Sequence, residues 1–464
     1  MTNERRRKCL LFCYQTPRSA GGGGEVRSYH MVQTALDLFD VTLISMGGLS
    51  GTEQIPDEIA QRCERVIQPS PGSTHHTYVK PPTRLGKWWL LLTTLLLPWR
   101  DHWIPFNALM MQYCNLRQYP SRGAAVIARL VILSCQLCSR LGIAVPPMQA
   151  RNFAPSWKLV EKEALAAAAQ SSYDVFWVEH TLGWPIAKKF VPAGIPVICS
   201  SHNVEHLLVK HLRSSTSQGV PARYSMLEYR HMQRAEIDAW TRSSIVLQCS
   251  DNDSNTTRQL APNASAITAP NGVDTGYFFT EPDAEESEEA VLLLTAGFGY
   301  APNFQGLQWF LQHVYPLIRS QRPDVKFLFA GSSAQAAAER LGPLPDGVEF
   351  NSAPQDIRPS FRRALVYVVP LLAGGGTRLK ILEAMAMNLP VVSTRIGADG
   401  VAYEHERHLL LADSPEDFAA AAIRLLDSTE FRDRLRRNGR ELVSAGFEWD
   451  AIRAKAAAEI RELL

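Results

Sequence analysis

The sequence predicts an α/β protein of two Rossmann-like, doubly wound domains, from three observations. Residues 9–45 run strand, glycine loop, helix, strand: an apolar run at 9–15, a turn at 21–24, helical spacing through Val26, Tyr29, Val32 and Leu36, then a second apolar run at 41–45. Such a βαβ start implies a parallel sheet with right-handed crossovers. The same alternation starts afresh at 291–295 and continues toward the C-terminus. Finally, 464 residues are more than one ordinary core fills.

The first domain is placed at residues 1–285. Its alternation breaks at about 69–151, a stretch rich in Trp, Leu and Pro that reads as a helical insertion. It resumes with strand 175–179, helix 184–190, strand 196–200, a long helix at 226–240 and strand 245–249. Asp251 or Ser254 is the expected cap of the next helix, and 266–269 is a further short strand. Segment 281–289, with six acids and no base, is the expected linker. In the second domain, residues 286–445, Pro302 suits the first turn of a helix, and Phe304, Leu307, Leu311, Val314 and Ile318 keep one apolar face. Runs at 325–330, 365–370 and 391–394 have strand length and composition. The tail, residues 446–464, holds an amphipathic helix expected to pack back towards the first domain. Two such sheets would place a ligand in a central cleft faced by their strand C-terminal ends.

Composition excludes several classes. Hydrophobic residues make up 46% and charged residues 20%, the balance of a globular protein. A net charge of +2 argues against a nucleic-acid partner, which needs a dominant basic face. Cys135 and Cys138 are spaced like half of a zinc or redox pair, but no second pair answers them, and their apolar setting favours packing. Scattered cysteines suit a reducing compartment, and the apolar run after Arg5–Lys8 is too short for a signal-peptide core. No run approaches the ~20 apolar residues of a spanning helix. A cytoplasmic location is expected, with or without peripheral contact to the cytoplasmic membrane face.

The densest chemical signal is PLLAGGGTRLKILEAMAMNLPVVSTRIGADG at 370–400. A strand ends at Pro370, then Gly374, Gly375 and Gly376 lead into a helix starting near Thr377 and holding Arg378, Lys380 and Glu383. Glycines at a strand–helix junction let backbone N–H groups approach an anion, and the helix start favours negative charge. Arg378 suits a diphosphate by forked hydrogen bonds and Lys380 as a point charge. Glu383 is placed to accept hydrogen bonds from vicinal ribose hydroxyls. A glycine turn followed by solvated charges is the structural alternative, and the combination favours a site.

This segment resembles the C-terminal donor motif of the retaining glycosyltransferase family 4, of the two-Rossmann GT-B fold. PNGVD at 270–274, holding Asn271, matches that family's interdomain element, and IGADG at 396–400 matches a later loop. Gly297 with Pro302, Asn303 and Gly306 resembles its donor-side glycine loop. Gly21–Gly24, including Gly23 and Gly24 and followed by Arg27, resembles its first glycine loop near the donor phosphates and the acceptor; Arg27 faces either phosphate or solvent. His202, in SHNVE after strand 196–200, matches the family histidine that hydrogen-bonds the donor sugar, and Glu179, His180 and Glu205 are weaker candidates at strand ends. The resemblance spans nearly the whole chain in order and is weakest across 69–151. One departure stands out: the family pattern has a glutamate eight positions before the ribose-binding one, where this chain has Gly375. A GGGTRLK-type branch has this form, and backbone amides near Gly374–Thr377 are the implied substitute for the contact to the sugar. The usual Arg and Lys after the donor-side glycine loop are also missing, and Arg378 and Lys380 are their expected replacements.

The resemblance implies transfer of a sugar from a UDP-, GDP- or similar nucleotide-sugar to a glycan, lipid-linked or other hydroxyl acceptor, in polysaccharide or glycoconjugate biosynthesis. It implies retention of configuration with His202, Glu383, Arg378 and Lys380 as the catalytic set, and no metal or other cofactor. Within the insertion, residues 80–100 place Trp88, Trp89 and Trp99 around a leucine block flanked by Lys80, Arg84, Lys87 and Arg100. That pattern fits either a buried helix or a peripheral membrane contact. Two other functional readings stay open: a nucleotide-sugar 2-epimerase-like enzyme, and a catalytically silent nucleotide-sugar-binding homologue, since Gly375 replaces an acid.

Overall fold

The computed structural model describes residues 5–19, 21–47, 53–70, 154–170, 172–208, 222–281, 286–373 and 378–464. The expected insertion from residue 71 onward, with Cys135, Cys138 and the stretch 80–100, and residues 374–377 lie outside them. The chain divides into two compact units, Met1–Thr268 with Ala456–Leu464, and Ala269–Lys455.

The first unit is built on seven parallel strands: β1 Lys8–Cys13, β2 Asp40–Ser45, β3 Arg65–Ile67, β4 Val175–Glu179, β5 Val197–Ser200, β6 Ile245–Gln248 and β7 Ser265–Thr268, in the order β3-β2-β1-β4-β5-β6-β7. A parallel sheet is covered on both faces, so its central strands carry apolar runs without alternation. All five residues of β4 are buried, as are five of six in β1. The sheet order reverses between β1 and β4, and Cys13, Glu179 and Ser200 end adjacent strands in register. Ligands of open parallel sheets bind outside the strand C-termini at such a reversal.

The second unit repeats the plan with β8 Val291–Thr295, β9 Lys326–Gly331, β10 Val348–Ser352, β11 Val366–Val369, β12 Val391–Ser393 and β13 Leu410–Leu411, ordered β10-β9-β8-β11-β12-β13. Side-chain alternation in β8 feeds two cores: Leu292 and Leu294 join one hydrophobic cluster, Val291 and Leu293 the other. Here the order reverses between β8 and β11, so the loop carrying Gly297 and the loop following Pro370 leave adjacent strands.

Several expectations are corrected. Ser250, not Asp251 or Ser254, caps the helix Asp251–Leu260, its hydroxyl accepting from the Asp253 amide at 3.2 Å. The segment expected as one helix over 184–190 is a 3-10 turn Thr181–Gly183 followed by a single short helix Trp184–Ala187. The division between units falls after Thr268, ahead of the acid-rich segment at 281–289. Acids of that segment are held on the second unit: Glu286 pairs with Arg432 at 2.7 Å and with Arg436, and Glu289 pairs with Lys326 at 2.6 Å. The helix Trp449–Leu463 is shared, its residues from Ala456 onward belonging to the first unit.

Candidate functional site

In the second unit, β11 ends at Val369 and the helix Leu379–Ala386 begins ten residues later. That start corrects the expected one near Thr377: Arg378 is the N-cap residue, with φ −87° and ψ 88°, outside the helix. Its guanidinium is buried and donates from Nη2 to the Ile396 carbonyl at 3.2 Å, which ties the helix start to the IGADG loop. Lys380 and Glu383 stand three residues apart and so share one face of the helix. Lys380 Nζ donates to Asn303 Oδ1 at 3.1 Å, and Asn303 Nδ2 donates to the Gly297 carbonyl at 2.9 Å. Gly297, Asn303 and Lys380 therefore form one chain of hydrogen bonds across the loops that leave β8 and β11.

Burial of Arg378 and half-burial of Lys380 and Glu383 disturb their charges. Burial pushes the Glu383 carboxyl up to about 7, opposed by the Lys380 ammonium. Burial and the neighbouring Arg378 push Lys380 down to about 8, opposed by Glu383. Burial also lowers Arg378, which Asp399 and Tyr300 offset. Two cations and a carboxylate, all partly stripped of water, thus gather at the start of one helix, the kind of perturbed cluster that functional sites often hold. Asp399 belongs to the IGADG loop, whereas Tyr300 carries no motif signal; 47% exposed, it sits at the cap of the helix Ala301–Trp309 and is found only by folding. Asn271 is buried beside Gly272, whose backbone faces Phe447 and Trp449.

The first unit assembles a second cluster. Gly23 and Gly24 open the helix Gly23–Leu38, and Glu25 Oε2 accepts from the Gly22 amide at 2.8 Å. One turn on, Arg27 is fully buried, which removes the solvent-facing alternative. His202 Nε2 lies 2.7 Å from Glu179 Oε1 and 3.5 Å from Ser28 Oγ. The rings of His180 and His202 lie 4.1 Å apart, and His180 Nε2 is 3.8 Å from Glu205 Oε1. Burial pushes Glu179 up to about 8, with the Arg27 cation pulling it back. Burial, aided by the Arg27 charge, depresses His202. Glu205 also rises to about 8 through burial and the charge of Glu236. Glu236, which no sequence pattern singled out, fixes the SHNVE loop by accepting from the Glu205 and His206 amides at 2.7 and 2.8 Å. His180 holds φ at 76°, a costly conformation for a non-glycine residue, and its Nδ1 accepts from the Leu182 amide at 3.2 Å.

Among the described residues, no group of three or more His, Cys, Asp or Glu side chains is placed to hold a metal ion.

Two doubly wound parallel sheets in one chain, with polar clusters at the strand C-termini of each, define the GT-B fold. Residues 289–428 match the family described as Glycosyl transferases group 1, so the second unit carries a glycosyltransferase domain of that group. Among curated relatives, the chain is 33% identical over 124 residues to an uncharacterized 44.6 kDa protein in the cps region of Klebsiella pneumoniae, covering 25% of this chain and 32% of that protein. It is 27% identical over 309 residues to a D-inositol 3-phosphate glycosyltransferase of Segniliparus rotundus, covering 62% and 65%. The chain thus spans less than two thirds of the length of these relatives. Among solved structures, sucrose-phosphate synthase from Thermosynechococcus elongatus superposes with a TM-score of 0.61 at 18% identity, covering 99% of both chains. HepE from Anabaena, in complex with UDP-glucose, gives 0.55 at 15% identity, covering 98% of this chain and 100% of that one.

Proposed function

We propose that this protein is a retaining glycosyltransferase that moves a sugar from a nucleoside-diphosphate sugar to a hydroxyl of a glycan or lipid-linked acceptor, in polysaccharide or glycoconjugate synthesis. The observation that carries the reading is the set Arg378, Lys380 and Glu383, two cations and a carboxylate gathered at one helix start and partly withdrawn from water. As the bond to the anomeric carbon breaks, charge accumulates on the leaving diphosphate. Arg378 and Lys380 meet that charge, and preorganised charge in a water-poor site is an effective form of transition-state stabilisation. Glu383, one turn along, accepts from the ribose hydroxyls. The matched group 1 domain, and a GT-B neighbour solved with UDP-glucose, support this reading. Because protein cations supply the charge, the reaction proceeds without a divalent metal. The protein works on the cytoplasmic side, with or without peripheral contact to the membrane face through residues 80–100.

The test is transfer from a panel of UDP- and GDP-sugars in EDTA, comparing wild type with Glu383→Ala. The variant should fold normally by circular dichroism and lose transfer by about a hundredfold or more, the loss typical when a group that holds the reacting complex is removed. Wild-type donor affinity in the folded variant would contradict the assignment.

A further inference from the structure

We propose that Glu179 is a positioning residue: its carboxyl fixes the tautomer of His202, and so decides whether His202 Nδ1 meets a sugar hydroxyl as acceptor or as donor. The substrate named here rests on the glycosyltransferase reading; the geometry stands without it.

Glu179 closes β4, and His202 follows the end of β5, its neighbour in the sheet. Glu179 is wholly buried and His202 is 5% exposed, so water does not compete for their contact. Nε2 has one close partner, Glu179 Oε1 at 2.7 Å, while Ser28 Oγ at 3.5 Å is at the limit of a hydrogen bond. The other carboxyl oxygen is held by Trp177 Nε1 at 3.3 Å, which fixes the plane of the group. Nδ1 of His202 is buried without a hydrogen-bond partner among the described residues. A buried polar atom left unpaired is costly, so Nδ1 is the atom that a bound hydroxyl would satisfy.

A neutral imidazole has one N–H, and the partner of one nitrogen determines the character of the other. When the Glu179 carboxyl is protonated, it donates to Nε2, the ring proton sits on Nδ1, and Nδ1 is a donor. When the pair loses one proton, the carboxyl proton passes to Nε2, the Nδ1 proton leaves to solvent, and Nδ1 becomes an acceptor. Among the groups facing the pair, Arg27 from the helix Gly23–Leu38 favours the ionised carboxylate, and burial opposes it. The thiols of Cys13 on β1, Cys199 on β5 and Cys249 after β6 are pushed up by burial and stay neutral. His180 is neutral, depressed by burial and by its neighbours His202 and Arg27, and Glu205 faces it from the SHNVE loop. The pair therefore has one proton to lose near neutrality and a single fixed charge that favours the loss.

Nitrogen NMR of the full chain labelled at histidine decides the matter. The His202 resonances are assigned by their absence in His202→Asn. From about pH 6 to about pH 10, wild type should pass from the Nδ1–H to the Nε2–H tautomer in one step, with its midpoint near 8. Glu179→Gln keeps the size and hydrogen-bonding capacity but has no proton to lose, so the step should vanish. An identical transition in Glu179→Gln would overturn the proposal, because a merely structural contact predicts it. If that variant does not fold, wild type alone decides: a tautomer unchanged across the range, or an imidazolium forming at the usual histidine pKa, overturns it. None of these measurements needs a donor. Absence of sugar transfer alongside the tautomer step would count against the function and leave the positioning role standing.

Discussion

Lys380 and Glu383 sit in a balance that pH should expose. A ribose diol donates to a carboxylate, so it favours ionised Glu383, and a diphosphate favours charged Lys380. Burial has moved the carboxyl up to about 7 and the ammonium down to about 8, so the binding form is most populated between those values. Affinity for a nucleoside diphosphate should rise as pH climbs through 7, when Glu383 loses its proton, and fall above 8, when Lys380 loses its own. Titration calorimetry across this range should trace a bell, each limb approaching about tenfold per pH unit. In Lys380→Met the upper limb should disappear and the lower one move upward, because the cation that eases Glu383 ionisation is gone. A flat profile through the window would show that neither group contacts the ligand. These residues were legible in the sequence because they lie within six positions of one another on a helix start. The cluster of Arg27, Glu179 and His202 was legible only in part: its members come from three distant segments, and nothing local reports that Arg27 is buried against a carboxylate rather than solvated.

At the scale of the element, the helix Ala301–Trp309 holds Asn303 under Lys380 by lying directly on the chain leaving β11. Gly306 makes that approach possible, since a Cβ there would stand 2.6 Å from the Pro370 carbonyl oxygen, a backbone atom that cannot step aside. Gly306→Ala should therefore lower stability by about 1–3 kcal/mol, the usual cost of overpacking, despite the helix propensity of alanine. It should also weaken nucleotide binding, because Asn303 lies one turn away and moves with the helix. Gly446→Ala is the control: at the end of the helix Thr429–Gly446, no atom lies within 4 Å of the added Cβ, and stability should hold or gain at most about 1 kcal/mol. Thermal melts of the two variants check the pair, and equal shifts would show that close packing at Gly306 is unimportant. Central strands such as β4 and β8 were evident as apolar runs because both faces are covered. The edge strands β3, β10 and β13 were not: β10 reads VEFNS with three exposed residues, and β13 has only two residues to show a pattern.

At the scale of the whole molecule, the two units share one topology and one rule, with polar side chains gathered where strand order reverses. The doubling could be read from the restart of alternation at β8. The boundary could not, because composition points to the acids near 285, whereas Glu286 and Glu289 are ion-paired to the second unit. No helix among the described residues is long and apolar enough to cross a membrane. On the proposed function, the second unit binds a nucleoside diphosphate through the charges beside the helix Leu379–Ala386. Calorimetric titration of wild type and Lys380→Ala with UDP or GDP, each set against its nucleoside, tests it most directly. A charge-assisted hydrogen bond contributes about 1.5–3 kcal/mol, so the variant should lose about ten- to a hundredfold in diphosphate affinity and far less in nucleoside affinity. Equal losses for both ligands would show that Lys380 does not meet the diphosphate, and no diphosphate binding by the wild type would show that these charges are not a donor site.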